Sequence, residues 1–143
     1  MAVRYYVDEE NDLLIGEASG LAVVDDFITS ANKLFTETDG GAFYKNHLFV
    51  IEPDTLASLL SMDALVRLRE QFEFWGEKYP GRDVRTVLLC EGTVEPLVFK
   101  RWQELSKEAR NYRSDIRIMS DRAEAMAWLK EKKPVQPHVT RAR

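Results

Sequence analysis

Apolar residues along the chain follow two different spacings, and each spacing predicts a different element of secondary structure. Short apolar runs predict strands at residues 4–7, 13–18, 47–51, 85–90 and 115–119. Elsewhere the apolar positions recur every three or four residues, which predicts helices. The four stripes with helical spacing run from Phe27 to Phe35, Leu65 to Trp75, Val94 to Ala109 and Ala125 to Leu129. Strands and helices therefore alternate along most of the chain.

The order of these elements predicts an α/β fold. Asp8, Asn11 and Asp12 are turn formers between the first two strands, so we expect a β-hairpin there. Alternating strands and helices usually build a mostly parallel sheet that is covered on both faces, and the hairpin adds one antiparallel strand at an edge. We therefore predict a single domain with a mixed, mostly parallel sheet, an N-terminal hairpin and about four helices.

The predicted domain spans residues 1–133 and is followed by a short basic tail. Residues 134–143 contain two prolines and no apolar period, so we expect a flexible segment. The basic residues at this end of the chain are Lys132, Lys133, Arg141 and Arg143. Removing their four charges from the net charge of −4 leaves about −8 on the rest of the chain, which disfavours a nucleic-acid-binding surface. Docking of this tail on an acidic face of a second copy would produce a homodimer.

Composition and cysteine content favour a cytoplasmic location. The chain has 143 residues, of which 45% are hydrophobic and 31% are charged, as is typical of soluble globular proteins. Its single cysteine, Cys90, cannot form an internal disulfide, and the opening MAVRYYVDEE does not resemble a signal peptide. The longest apolar runs have only a few residues, whereas a membrane helix needs roughly 20. We expect no membrane span.

The carboxyl ends of parallel strands are the usual place for ligands and partners in such sheets. In this chain those ends are predicted at residues 52–54, 90–92 and 119–121. A polar segment that contains Ser58, Ser61 and Asp63, which we call the elbow, follows the first of them and leads into the second helix. We expect the functional surface of the protein to lie at this elbow.

Two segments resemble the STAS-domain superfamily, and most closely its SpoIIAA-like branch, which is related to the bacterial anti-sigma-factor antagonists. DIRIMSDRAEAMAWL is similar to the last strand and helix of that branch, and Ala125, Trp128 and Leu129 match its Ala-x-x-Trp-Leu block. YYVDEENDLLIGEASG, followed by Asp26 and Phe27, is similar to its hairpin and first helix. The resemblance covers roughly residues 3–131 and implies a STAS-like fold and a regulatory or binding function.

In regulatory members of the superfamily, a phosphorylatable serine or threonine follows an aspartate at the start of the helix after the central strand. The matching position here, after Asp63, is Ala64, which has no hydroxyl group. Ser58 and Ser61 lie nearby and could be phosphorylated instead. The alternative is that their hydroxyls form turn or capping hydrogen bonds. The candidate partner or ligand surface therefore comprises Asp54, Ser58, Ser61, Asp63, Ala64, Cys90 and Glu91.

Catalytic and metal chemistry has weaker support in the sequence. Cys90 ends a predicted strand, where a nucleophile could lie, but His47 is expected at the opposite end of the sheet, about 15 Å away at ~3.3 Å per residue. A buried core thiol is the simpler interpretation. No zinc-type spacing of cysteine and histidine occurs. Glu52, Asp54, Asp63 and Glu91 could instead cluster around Mg²⁺, although turn and cap roles explain several of them.

Phe74 and Phe99 lie off the main apolar stripes of two successive helices. They could pack in the core, line an apolar pocket between the helices or form a dimer contact. Together these observations favour a non-enzymatic STAS-like module that associates with a protein or binds a small apolar ligand, without a cofactor or metal. The alternative is a small enzyme that uses Cys90 or the acidic residues at the strand ends.

Overall fold

A five-stranded sheet forms the centre of the computed structural model, which describes residues 3–20, 23–52, 61–80, 83–91 and 97–131. The strands are β1 Val3–Asp8, β2 Leu13–Ala18, β3 Asn46–Ile51, β4 Val84–Leu89 and β5 Ser114–Met119. They lie side by side in chain order, with β1 antiparallel to β2 and the other neighbours parallel. The predicted fold class, with its hairpin and its mixed, mostly parallel sheet, is confirmed.

Four helices pack on the sheet, and they divide unequally between its faces. Their bounds are α1 Val24–Glu37, α2 Met62–Lys78, α3 Leu97–Ser106 and α4 Arg122–Lys130. Each of the first three connects one parallel strand to the next in the same direction, so a common crossover handedness places them on one face. α4 follows the last strand and packs on the other face. A short 3₁₀ turn at Ala42–Tyr44, which the sequence pattern did not indicate, precedes β3.

Alternation along the strands builds a separate core on each face. In β3, Phe49 and Ile51 join the core under α1, α2 and α3, whereas Leu48 and Val50 pack toward α4. Trp75 anchors the larger core, because its ring meets Phe35 edge-on at 4.9 Å between centroids and is only 1% exposed. Within the described ranges, no helix combines the length and the apolar composition that crossing a bilayer requires.

Two predicted helix starts have the capping geometry that their sequences favour. The Ser61 side chain accepts a hydrogen bond from the Ala64 amide at 3.1 Å. The Asp121 carboxylate, three residues before Glu124 as in a capping box, accepts one from the Glu124 amide at 3.0 Å and caps the last helix. Thr93, which the sequence favours as the cap of the third helix, lies outside the described residues.

Candidate ligand-binding site

A cavity of about 60 Å³ lies between the sheet and helices α2 and α3. Its described lining is mostly apolar and aromatic, and it comprises Tyr5, Phe27, His47, Phe49, Ile51, Leu65, Leu68, Phe72, Thr86, Leu88, Val98, Phe99, Trp102 and Tyr112. A buried water occupies about 10–15 Å³, so the space is larger than a single water site. The lining follows β3 from His47 to Ile51, a distance of about 13 Å at ~3.3 Å per residue. The cavity walls are therefore elongated and mainly apolar.

His47 is the most unusual side chain in this lining. It is 7% exposed, and its Nε2 atom is buried without a hydrogen-bond partner among the described residues. Its ring lies beside two aromatic neighbours, with centroids 5.6 Å from Tyr5 and 6.0 Å from Phe49. Burial in these surroundings lowers the pKa of the imidazole from 6.5 to about 4, because the charged form loses its hydration. At neutral pH His47 is therefore uncharged.

Thr86 and Tyr112 are further polar groups near His47 in the lining of the cavity. Thr86 is the register partner of His47 on β4, and its hydroxyl lies 2.6 Å from that of Ser114. The hydroxyls of Ser114 and Thr86 act to lower the pKa of the Tyr112 phenol. Burial nevertheless raises the pKa of Tyr112 above its usual value of 10.0, so the phenol stays neutral. The polar groups at this end of the cavity are therefore uncharged, and Nε2 of His47 forms no hydrogen bond with them.

Two glycines allow the aromatic walls of the cavity to form. A Cβ atom on Gly16 would lie 2.5 Å from Cδ1 of Phe49 and 2.6 Å from Cε1 of Tyr5, so only glycine lets both rings lie over β2. A Cβ atom on Gly76 in α2 would lie 1.8 Å from the Asn111 carbonyl oxygen. The close approach at Gly76 holds the backbone beside Tyr112, whose ring centroid lies 4.8 Å from that of Phe72 with the two planes tilted by 40°.

The structure separates the two phenylalanines that the sequence analysis paired. Phe99 is 4% exposed and lines the cavity. Phe74 does not line it and is 56% exposed on the surface of α2. The physical reason is helix rotation, because Phe74 is one residue from the buried Trp75 and therefore about 100° away from it around the helix. Only Phe99 contributes to a pocket between the helices.

The residues of the proposed elbow surface lie at the carboxyl edge of the sheet. Ser61 and Asp63 are exposed at the start of α2, while Ala64 is half-buried and packs against the core. Asp54 and Ser58 lie outside the described residues. The hydroxyl of Ser61 serves as the helix cap, which is the structural role considered for it from the sequence.

Cys90 and Glu91 follow β4 at the same edge but face different environments. Cys90 is 3% exposed, and its Sγ atom lies 3.5 Å from the Met119 carbonyl oxygen. Glu91 is half-buried and forms an ion pair with Arg122 of α4, at 2.9 Å. Glu91 therefore faces the α4 side of the sheet, whereas Cys90 belongs to the core on the opposite side.

Metal ligation finds no ready arrangement in the described part of the chain. No three side chains of histidine, cysteine, aspartate or glutamate are grouped there in a way that could hold a metal ion. Of the acids considered for Mg²⁺, Asp54 lies outside this part, and Glu91 is neutralised by Arg122.

No family model, curated protein or solved structure matches the chain. The site is therefore interpreted from its own residues. Sequence reasoning missed the polar end of the cavity, because His47 was considered only as a partner of Cys90. One signal was present in the sequence. His47, Phe49 and Ile51 are alternate residues of one strand, so His47 must face the same core as the two apolar residues.

Proposed function

We propose that the protein is a non-enzymatic, cytoplasmic binding module of the STAS type, similar to the SpoIIAA-like branch, whose ligand is small and mainly apolar. The observation that carries this proposal is the elongated cavity between the sheet and helices α2 and α3. The resemblance of the two terminal segments supports the family, and the mostly parallel sheet is compatible with it.

The lining favours binding over catalysis. Phe72, Phe99 and Trp102 provide large apolar walls, and burying apolar ligand surface against them contributes about 25 cal/mol per Å². The titratable groups of the described lining are His47, Tyr5 and Tyr112, and burial holds all three in their neutral forms. A neutral and mostly apolar space of this kind suits an uncharged apolar molecule, and its described lining contains no charged acid and base to drive a reaction.

A cavity-filling variant tests the proposal. Val98 lines the cavity, so Val98→Phe should occupy part of it, whereas Val66 packs against the same core without lining it. Val66→Phe is therefore a matched control for the added volume. We expect native mass spectrometry and NMR titration with small aromatic compounds to show binding by the wild-type protein and by Val66→Phe, and much weaker binding by Val98→Phe. Absence of binding by the wild-type protein, or equal binding by all three, would contradict the proposal.

A second candidate function is association with a protein partner or a second copy at the carboxyl edge of the sheet. Three apolar side chains are exposed where helices α1, α2 and α3 begin: Val23 at 40%, Met62 at 48% and Leu97 at 61%. All three helix starts follow parallel strands, so they lie at the same edge of the sheet. Ser61 and Asp63 flank Met62 and supply a polar rim, as protein interfaces usually have.

Light scattering over a range of concentrations tests this second candidate for self-association. We expect replacement of Met62 and Leu97 by serine to shift any dimer to monomer. Phe74→Ser is the control, because Phe74 is similarly exposed but lies about three turns further along α2. A wild-type protein that stays monomeric at high concentration would exclude self-association at this edge, and an equal effect of the control would exclude the edge as the contact.

A further inference from the structure

A buried hydrogen-bonding group inside an apolar cavity restricts what the cavity can bind. Nε2 of His47 has no partner, although the side chain is only 7% exposed. Buried polar atoms in proteins are nearly always hydrogen-bonded, and an unsatisfied one lowers stability. The imidazole also lines the cavity. Because the χ2 torsion of histidine has a broad preference, a modest rotation of the ring turns a nitrogen toward that space.

The neighbouring polar groups do not satisfy His47. Thr86 is its partner in the strand register, but the Thr86 hydroxyl is paired with Ser114 at 2.6 Å. The hydroxyls of Thr86 and Ser114 both act to lower the pKa of Tyr112, although burial raises it above its usual value. The two aromatic rings beside His47, those of Tyr5 and Phe49, approach it at 5.6 and 6.0 Å between centroids. No described residue therefore satisfies His47, and a ligand in the cavity can supply the missing partner.

We infer that the ligand of this cavity is a neutral molecule with an apolar body and a hydroxyl group that hydrogen-bonds to His47. This inference rests on the proposed binding function. A hydroxyl both donates and accepts, so it satisfies Nε2 in either tautomer of the neutral imidazole.

Carboxylates and pure hydrocarbons fit this site less well than a neutral molecule with a hydroxyl group. No arginine or lysine is among the described residues that line the cavity. A carboxylate ligand would therefore lose its hydration without gaining a cationic partner, which is unfavourable in an apolar site. The imidazole itself supplies no charge at neutral pH, because burial keeps its pKa near 4. An alkyl or aryl hydrocarbon would fit the apolar walls but would leave Nε2 unsatisfied.

Three probes of similar shape test this chemistry: 4-ethylphenol, 4-ethyltoluene and 4-ethylbenzoate. They differ in a single substituent, which is a hydroxyl, a methyl or a carboxylate group. Binding is measured on the full-length protein by isothermal titration calorimetry at pH 7.5, and the ¹⁵N resonances of the histidine rings are recorded by NMR. The chain has two histidines, so His138→Phe assigns the signals and serves as the control for substitution.

The expected result is about 3- to 10-fold tighter binding of 4-ethylphenol than of 4-ethyltoluene, the range that one neutral hydrogen bond supplies. 4-Ethylbenzoate should bind more weakly than either. The phenol should shift the ring nitrogen resonances of His47 and leave those of His138 unchanged. In His47→Phe, which keeps an aromatic ring beside Tyr5 and Phe49, the preference for 4-ethylphenol over 4-ethyltoluene should disappear while 4-ethyltoluene still binds.

Failure of this inference is distinct from failure of the proposed function. If 4-ethylphenol and 4-ethyltoluene bind equally and the His47 resonances do not change, the ligand does not use a hydroxyl to bind His47. The proposed binding function would remain. Preferential binding of 4-ethylbenzoate would contradict the inference that the ligand is neutral. If none of the three probes binds, the proposed function falls and this inference falls with it. Should His47→Phe not fold, the ring nitrogen resonances of the wild-type protein decide the question alone.

Discussion

His47 and Thr86 are direct neighbours across strands β3 and β4, and both line the cavity, yet only Thr86 has its polar group satisfied. The Thr86 hydroxyl lies 2.6 Å from Ser114 on the next strand, whereas Nε2 of His47 has no partner. The difference follows from their positions in the sheet. Ser114 belongs to β5 on the far side of Thr86, while the side of His47 toward the hairpin is occupied by the Tyr5 ring.

Stability should depend on pH through His47. The folded protein holds the pKa of this residue at about 4, against 6.5 in the unfolded chain. Between these values the unfolded chain binds a proton that the folded protein does not, so stability is fully present above pH 6.5 and falls as the pH decreases toward 4. The loss attributable to His47 should reach about 3 kcal/mol at the lower end of this window. Urea unfolding at several pH values between 7.5 and 4 measures it.

His47→Phe is the control for this titration. Its free energy of unfolding should vary less with pH across the same window, because the titrating group is removed. Asp8, whose pKa is lowered by its hydrogen bonds to Asn11, loses its contribution only below its ordinary value of 3.8, outside that window. Parallel pH profiles of the wild type and His47→Phe would contradict the assignment.

Gly16→Ala should destabilise the fold by about 2 kcal/mol, within the range for overpacked sites. The added methyl group would meet the rings of Phe49 and Tyr5 at 2.5 and 2.6 Å, which is closer than carbon atoms approach, so both rings would have to shift. Gly41→Ala is the matched control: its backbone is already helical, at φ −58°, and its nearest neighbour is the Thr38 carbonyl oxygen at 3.2 Å. We expect a change below about 1 kcal/mol for the control. Equal losses in thermal or urea unfolding would show that the rings do not set the requirement for glycine.

The alternation of strands and helices was predictable because it depends on local apolar spacing. The third strand starts at Asn46, one residue before its predicted start, because the Asn46 side chain bridges two elements that are distant in sequence: it donates to the Leu129 carbonyl at 2.8 Å and accepts from the Arg85 amide at 2.9 Å. Apolar spacing carries no signal for such a bridge.

The cavity was less predictable, because a void is a property of packing between elements. Phe74 and Phe99 are equivalent by composition and both lie off their stripes, but one is 56% exposed and the other 4%. Which of them faces inward depends on how α3 is rotated against α2 and β5, and that rotation is set by contacts across the fold. The unpartnered nitrogen of His47 likewise depends on neighbours from three strands.

Cys90 should react slowly with a thiol probe in the native protein. Its side chain is 3% exposed, and its Sγ atom lies within the core beside the Met119 carbonyl oxygen. The labelling rate should rise steeply with urea, because reaction requires opening of the structure. As Cys90 is the only cysteine, Cys90→Ala gives the background rate. Rapid labelling without denaturant would instead favour the alternative of an enzyme with a reactive thiol at this position.

Two serines at the ends of different helices should respond oppositely to removal of their hydroxyl groups. Ser61 caps α2 by accepting from the Ala64 amide at 3.1 Å, so Ser61→Ala should lower the free energy of unfolding by about 1 kcal/mol. Ser106 ends α3, and its Oγ atom is buried without a hydrogen-bond partner. Ser106→Ala should therefore cost nothing or stabilise the protein slightly, since alanine is also the better helix former.

A third variant separates capping at Ser61 from its other chemistry. Aspartate is as good a helix cap as serine, so Ser61→Asp should retain wild-type stability and place a negative charge at the positive end of the α2 dipole. Urea unfolding of the three variants measures all of these effects. If Ser61→Ala and Ser106→Ala lose equal stability, the hydrogen bond to Ala64 does not stabilise the start of α2. If Ser61→Asp is as unstable as Ser61→Ala, a negative charge at this elbow is itself unfavourable, which would also argue against a phosphate there.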